Sequence, residues 1–368
     1  MFISSLTALL LAATAAQDTP ETAPPAPAQT EPAQTEPAQT EADQTGTVQA
    51  GPDTANAGEP RLRLEPAAPQ AGDMVRNSAG EYAAYHSVVA DLRDAPIQSG
   101  ADLDAAMDRL SAFYGEDRLV RAWIAYAAII ATHHPDYIDQ VRELADYYGP
   151  EAALSGLMND PAFATSFSAA PDAQDSVIDA IGRDNDEIRA VSERYRSAAY
   201  SLQSERWANR VYRDRADRLA AISDIDDSPI TLSEELRMSV DTGLGQAMPA
   251  SALFEPLDLD TAVPLNDTLS PQLSLTVGEA VPDPDRTRIG RILSVAALQS
   301  LDGSVADTDA AIDALLSDPM VERCLAWVRL DLSQCVAAGH FKYEDSFCIA
   351  EHALLDVSRC LDTADTAE

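Results

Sequence analysis

Four cysteines carry the clearest chemistry in this chain. Cys324, Cys335, Cys348 and Cys360 are its only cysteines, and all lie in the last forty-five residues. Two disulfides are the first expectation for four cysteines in an exported chain, and three connectivities are open. Val321, Val328 and Leu332 place Cys324 and Cys335 on one helix, where eleven steps separate them by about 16 Å. Bridged Cα atoms must lie within about 7 Å, so these two cannot bond each other, and Cys348 and Cys360 are separated similarly on the next helix. Gly339 and His340 supply a turn between the helices. In an antiparallel hairpin, partners share a midpoint, which pairs Cys335 with Cys348 and Cys324 with Cys360. One conflict remains. At about 100° per residue Cys324 and Cys335 sit about 20° apart around their helix, but Cys348 and Cys360 sit about 120° apart, so the second helix must bend or end before Cys360. Zinc is the rival chemistry, with Cys348 and His352 four residues apart, although CxxC spacing is absent.

Arg206, Arg210 and Arg213, with Trp207 and Tyr212 among them and Arg215 and Arg218 following, form the one basic and aromatic stretch. Arginine with aromatic rings suits anion, glycan or partner binding. The plainer reading is a helix face on which Glu205, Asp214 and Asp217 pair these arginines in water. His133 and His134 stand before Pro135 at a helix junction, where their side chains diverge and capping is expected over metal binding. Asp224, Asp226 and Asp227 crowd a loop without the spacing or glycine turn of a calcium loop. The chain has no GxSxG elbow, HExxH, phosphate-binding glycine loop, Rossmann fingerprint or EF-hand loop. No catalytic residue, metal or cofactor is therefore expected. Paired carboxylates, which obey no local spacing rule, keep an envelope hydrolase acting on glycan or peptide as the alternative function.

Composition narrows the partners. With 61 acidic against 25 basic residues the formal charge is −36, which repels nucleic acid and anionic membrane surfaces. Lys342 is the only lysine, so Schiff-base and Ser-Lys chemistry are excluded elsewhere.

The elements that position these residues follow from periodicity. Phe2 to Ala16 is an apolar run ending in Ala13-Thr14-Ala15, the small-x-small pattern of a cleaved secretory signal, here assigned to residues 1–16. An uncleaved anchor is the alternative, but a bilayer span needs roughly 20 apolar residues and this run is shorter. Residues 17–75 are rich in Pro, Ala, Gln, Thr and Glu and repeat TEPAQ at Thr30 and Thr35, which predicts a disordered tether.

Helical spacing then runs over 76–222. It begins with Tyr82, Tyr85, Val89 and Leu92, followed by a Ser99/Asp102 capping box before Leu103, Met107, Leu110 and Tyr114. Leu119 to Thr132 is apolar nearly all round, as a central helix should be. Pro135 and Pro150 open further helices. Residues 223–285 read as an irregular connector with one strand-like piece, Leu273 to Val277, and 286–362 as a helical region ending in the four-cysteine hairpin. The fold class is all-α.

The runs YGEDRLVRAWIAYAAIIA (Tyr114 to Ala131), CLAWVRLDLSQC and FKYEDSFCIAEHALLDVSRC resemble segments of uncharacterised exported helical proteins of alphaproteobacteria. The resemblance covers roughly residues 75 to 222 and 319 to 361. It implies a periplasmic or secreted helical protein and brings no activity with it. The nested cysteines also resemble the twin-cysteine hairpins of oxidised organelle compartments, with longer spacing. The function expected is thus a non-catalytic envelope interaction or structural protein, its partner an envelope protein or a cell-wall component, with no membrane span in the mature chain.

Overall fold

A computed structural model of the chain describes residues 71–115, 117–211, 215–223, 230–254, 284–301 and 307–362. The signal segment, nearly all of the tether, Tyr212, Arg213, the aspartates 224, 226 and 227, and Leu273 to Val277 lie outside the described residues.

The first helix, α1 (Ala71–Asp94), begins five residues inside the segment read as tether. Its inward face carries Val75, Ala79, Tyr82, Tyr85 and Val89, all almost fully buried. It lies along α3 (Arg118–Thr132), the helix that is apolar nearly all round. Around α3 also pack α10 (Pro284–Ser300) and the 33-residue α7 (Ala170–Leu202), which explains why α3 has no polar face. Between α1 and α3, α2 (Gly100–Ser111) starts at the expected capping box: the Ser99 N–H donates to Asp102 Oδ2 at 2.8 Å.

Three short helices follow, α4 (Pro135–Tyr148), α5 (Pro150–Asn159) and α6 (Pro161–Thr165), each opened by a first-turn proline whose missing N–H costs nothing there. After α7 come α8 (Arg215–Ser223) and α9 (Glu234–Leu244). The latter is a helix inside the stretch read as irregular connector, capped by Ser233 and carrying Val240 and Leu244 into the core. Its few apolar positions and exposed Met238 hide its periodicity.

Beyond α10 the chain forms α11 (Thr308–Leu315) and α12 (Pro319–Ala338). Next come α13 (Tyr343–Cys348), a seven-residue π-helical segment (Ile349–Leu355) and α14 (Asp356–Cys360). Residues on both sides of the connector share one hydrophobic core. Gly290 of α10 explains part of that union: a Cβ there would stand 2.0 Å from the Pro161 carbonyl oxygen, so only glycine lets α10 reach α6 this closely. Among the described residues the only strand-like pairing is a single antiparallel bridge, Val211 with Phe341. No described helix is long and apolar enough to cross a membrane.

Candidate functional site

Two disulfides constrain the C-terminal hairpin. Asp318 accepts from the N–H groups of Met320 and Val321 and so starts α12, with Pro319 in its first turn. Val321, Leu325, Val328, Leu332 and Val336 then recur at intervals of four, three, four and four and are buried. Gly339 ends the helix, its N–H returning to the Cys335 carbonyl. Glu344 Oε2 receives the N–H groups of His340 and, at 2.9 Å, Phe341 and so folds the turn. The chain returns antiparallel through α13, the π segment and α14. Both disulfides form in the nested order, Cys324 with Cys360 and Cys335 with Cys348, each with Cα atoms 5.7 Å apart. Cys348 is therefore not available to zinc.

The hairpin sits on α7. Ser192 Oγ donates to the Ala350 carbonyl at 2.8 Å, Ser346 Oγ donates to the Tyr195 carbonyl at 2.7 Å, and the Tyr114 hydroxyl donates to the Ala353 carbonyl. A half-enclosed ionic junction closes its turn. Lys342 pairs with Asp345 at 2.8 Å and with Asp104, and Arg218 of α8 also meets Asp345. Burial holds the Lys342 ammonium below its ordinary pKa, against the pull of Asp104. The one lysine of the chain is thus a docking residue between α2, α8 and the hairpin.

Two features of this hairpin face outward. On α12, opposite the buried stripe, Met320, Trp327 and Leu330 are exposed, Trp327 at 60 %. Ala338 lies eleven residues beyond Trp327, about 16 Å along and about 20° around the helix, so the same face leads on to the helix end. There a cleft of about 370 Å³ opens between α7, α12 and α13. Tyr200 and Phe347 edge it at 67 % and 41 % exposure. Ala338 and the Cys335–Cys348 bridge line it, together with Gln203, Tyr343 and Glu344. Glu344 already serves the turn N–H groups.

The second feature is a cluster of titratable donors between the two disulfides. Asp331 of α12, His352 of the π segment and Asp356 of α14 each offer one ligand atom, and these atoms all lie within 4.8 Å of one another. All three side chains are half-buried. His352 Nδ1 and Asp356 Oδ2 are 2.8 Å apart, and Arg359 donates to the other oxygen of Asp356, also at 2.8 Å. The hydrogen bond with Asp356 raises the imidazole pKa and lowers that of the carboxyl.

Comparison with protein-family models, with curated proteins and with solved structures gives no match. Function rests here on the geometry and chemistry of the residues themselves.

The arginine stretch is not the helix face expected for it. α7 ends at Leu202, the chain turns through 203–210, and α8 begins only at Arg215, because the Val211 bridge to Phe341 and the Tyr343 N–H bond to the Ala208 carbonyl (3.2 Å) pin this loop to the hairpin turn. Arg206 and Arg210 are exposed on that loop, Trp207 packs against the core, and Arg218 turns inward to Asp345. His133 closes the end of α3, its Nδ1 3.0 Å from the Ile129 carbonyl, while His134 is half-enclosed and held below its ordinary pKa by burial.

A further polar set is closed within α1, α3 and α7. His86 is 1 % exposed, with the rings of Tyr82 and Tyr85 4.6 and 5.4 Å away. Neither of its ring nitrogens has a hydrogen-bond partner, and burial lowers its pKa although the Asp184 charge works against this. Asp184 itself is engaged by the N–H groups of Ala250 and Ser251, at 3.2 and 2.8 Å. Asp184 thus ties α7 to the backbone at Ala250 and Ser251.

Sequence reasoning missed Trp327, Phe347 and the Asp331–His352–Asp356 cluster, yet each left a signal. Trp327 is apolar but falls off the Val321–Val336 stripe. Asp331 and His352 share the midpoint of Cys335 and Cys348, between residues 341 and 342, so the register that joins those cysteines also faces Asp331 with His352.

Proposed function

We propose that this is an exported, non-catalytic helical interaction protein of the bacterial envelope, which binds another protein through the outward face of α12 and the adjoining cleft. The observation that carries the reading is Trp327, left 60 % exposed on a helix that two disulfides hold in place. A large aromatic side chain in water forgoes its burial energy unless a partner supplies the cover, and rigid exposed aromatics are the residues that dominate protein–protein affinity. Met320 and Leu330 are exposed on the same helix, and Phe347 and Tyr200 edge the cleft at its end. The partner presents an apolar anchor for the cleft, in a neutral or basic surface, because a chain of formal charge −36 repels an acidic one. Two disulfides suit an oxidising compartment, which supports a periplasmic or secreted location. A paired-carboxylate hydrolase needs two free carboxylates facing a cleft; the cleft here has Glu344, which is occupied by the turn.

A photo-crosslinking amino acid placed at Trp327 or Phe347, and as a control at the exposed Tyr147 of α4, tests this in envelope extract. We expect a discrete adduct from the first two positions and none from the third. Excess wild-type protein should suppress it, and excess Trp327→Ala/Phe347→Ala protein should not. Identical adducts from all three positions, or equal suppression by both competitors, would sink the proposal.

A further inference from the structure

We infer that Asp331, His352 and Asp356 form a binding site for a first-row divalent cation, with Zn²⁺ as its natural probe. Three donors from three separate elements converge there: a carboxylate from α12, an imidazole from the π segment and a carboxylate from α14. One nitrogen and two oxygens is a donor set that suits zinc and its neighbours, and three protein ligands leave one position for water or a partner's side chain. A cation about 2.0–2.2 Å from each donor sets the donors roughly 3.2–3.6 Å apart. Ligand atoms within 4.8 Å of one another need close by no more than about 1.6 Å to reach that arrangement.

The scaffold is preorganised in the way such a site needs. Cys324 and Cys335 bracket Asp331 on one arm, Cys348 and Cys360 bracket His352 and Asp356 on the other, and both bridges are closed. The helices cannot slide past one another, so the ligands lose little freedom on binding. Arg359 donates to Oδ1 of Asp356 and leaves Oδ2 directed at His352, where a cation would replace the present hydrogen bond. The neighbouring Glu351 is drawn away to Arg196, at 2.5 Å. The competing reading is a purely structural string, His352–Asp356–Arg359, that ties the π segment to α14.

The two are separated by titrating chelator-treated, oxidised full-length protein with Zn²⁺ in a calorimeter. One ion per chain is expected. His352→Gln and Asp331→Asn should each weaken binding by at least the about tenfold that losing a hydrogen-bond partner of a metal ligand already costs, while His340→Gln, in the hairpin turn, leaves it unchanged. Trp327, one turn before Asp331 on α12, gives a fluorescence readout of the same binding. Circular dichroism and disulfide mapping of each variant show that the hairpin is intact; if His352→Gln fails this check, the Asp331→Asn variant decides. No saturable binding at millimolar Zn²⁺, or affinities in both ligand variants within twofold of wild type, overturns the inference. Equal weakening in the His340 variant overturns it too.

Discussion

Removing the outer disulfide should cost more stability than removing the inner one, and the difference can be worked from the hairpin. Cys324 and Cys360 are 36 residues apart and Cys335 and Cys348 are 13 apart. Loop-closure entropy gives about 4 kcal/mol for the outer bridge alone and about 3 for the inner alone. With the inner bridge closed, the free path around the outer one runs only through 324–335 and 348–360, about 25 residues, which lowers its contribution to about 3.5 kcal/mol. The same bookkeeping leaves about 2.6 kcal/mol for the inner bridge when the outer is closed. Cys324→Ser with Cys360→Ala removes the outer bridge without burying a hydroxyl, since Cys360 is the buried partner. For a domain of this size, about 3.5 kcal/mol corresponds to a fall in Tm of roughly 7–14 °C. Thermal melts followed by circular dichroism, with non-reducing peptide maps to verify the surviving bridge, give the measurement. An outer-bridge variant within about 2 °C of wild type, or an inner-bridge variant that melts lower than it, would refute the chain-entropy account.

Two further outcomes follow from the core. His86, enclosed by Tyr82 and Tyr85 with Asp184 nearby, has its pKa depressed by burial, so its neutral form contributes stability that is present above about pH 6.5 and lost as the pH falls through the lower folded value. Urea midpoints at pH 7, 6 and 5 should therefore fall less for His86→Leu than for wild type, and parallel falls would show that His86 does not titrate as argued. The same glycine-to-alanine change should have opposite signs in two helices. In α7, Gly182 has open space around a new Cβ, and Gly182→Ala should stabilise by up to about 1 kcal/mol; in α10, Gly290→Ala drives a methyl into the Pro161 carbonyl and should cost several times that. Chemical denaturation of the two variants checks both signs.

How much of this was legible depended on how local its cause is. The caps and openings were readable, because Ser99/Asp102, Pro135 and Pro150 act within one turn of themselves. So was α3, whose apolar run, interrupted only by Arg121, has one stable use. The cysteine pairing followed from rise per residue and midpoint, two quantities a sequence contains. α9 was missed because its core contacts through Val240 and Leu244 come from tertiary packing rather than from a strong stripe. The union of α10 with α6 rests on a missing Cβ at Gly290, and glycine in sequence does not announce which neighbour it admits. The arginine loop was misread for a related reason: helix propensity favoured continuation past Leu202, and a distant bridge to Phe341 overrode it.

The π segment settles the conflict left by the cysteine spacing. Cys324 and Cys335 are eleven residues apart on a regular helix, an offset of about 20° at about 100° per residue, whereas the twelve residues from Cys348 to Cys360 would give about 120°. A π turn closes its hydrogen bonds one residue later than an α turn, so it absorbs about one residue without advancing around the axis. Ile349–Leu355 is such a segment, and it returns the second pair to about 20°, in register with the first. The bridges alone do not require it, since a regular helix with eleven-residue spacing would align the cysteines equally well. What the longer spacing adds is backbone turned toward neighbours: within this segment the Ala350 and Ala353 carbonyls receive the hydroxyls of Ser192 and Tyr114. Carbonyls released from α-type pairing need partners when buried, and these donors supply them. The extra residue therefore couples two tasks that a regular helix would separate, closing the outer disulfide and docking the hairpin on α7. Its cause lies in residues more than 150 positions upstream, which is why a periodicity argument could register the conflict at Cys360 but not its resolution.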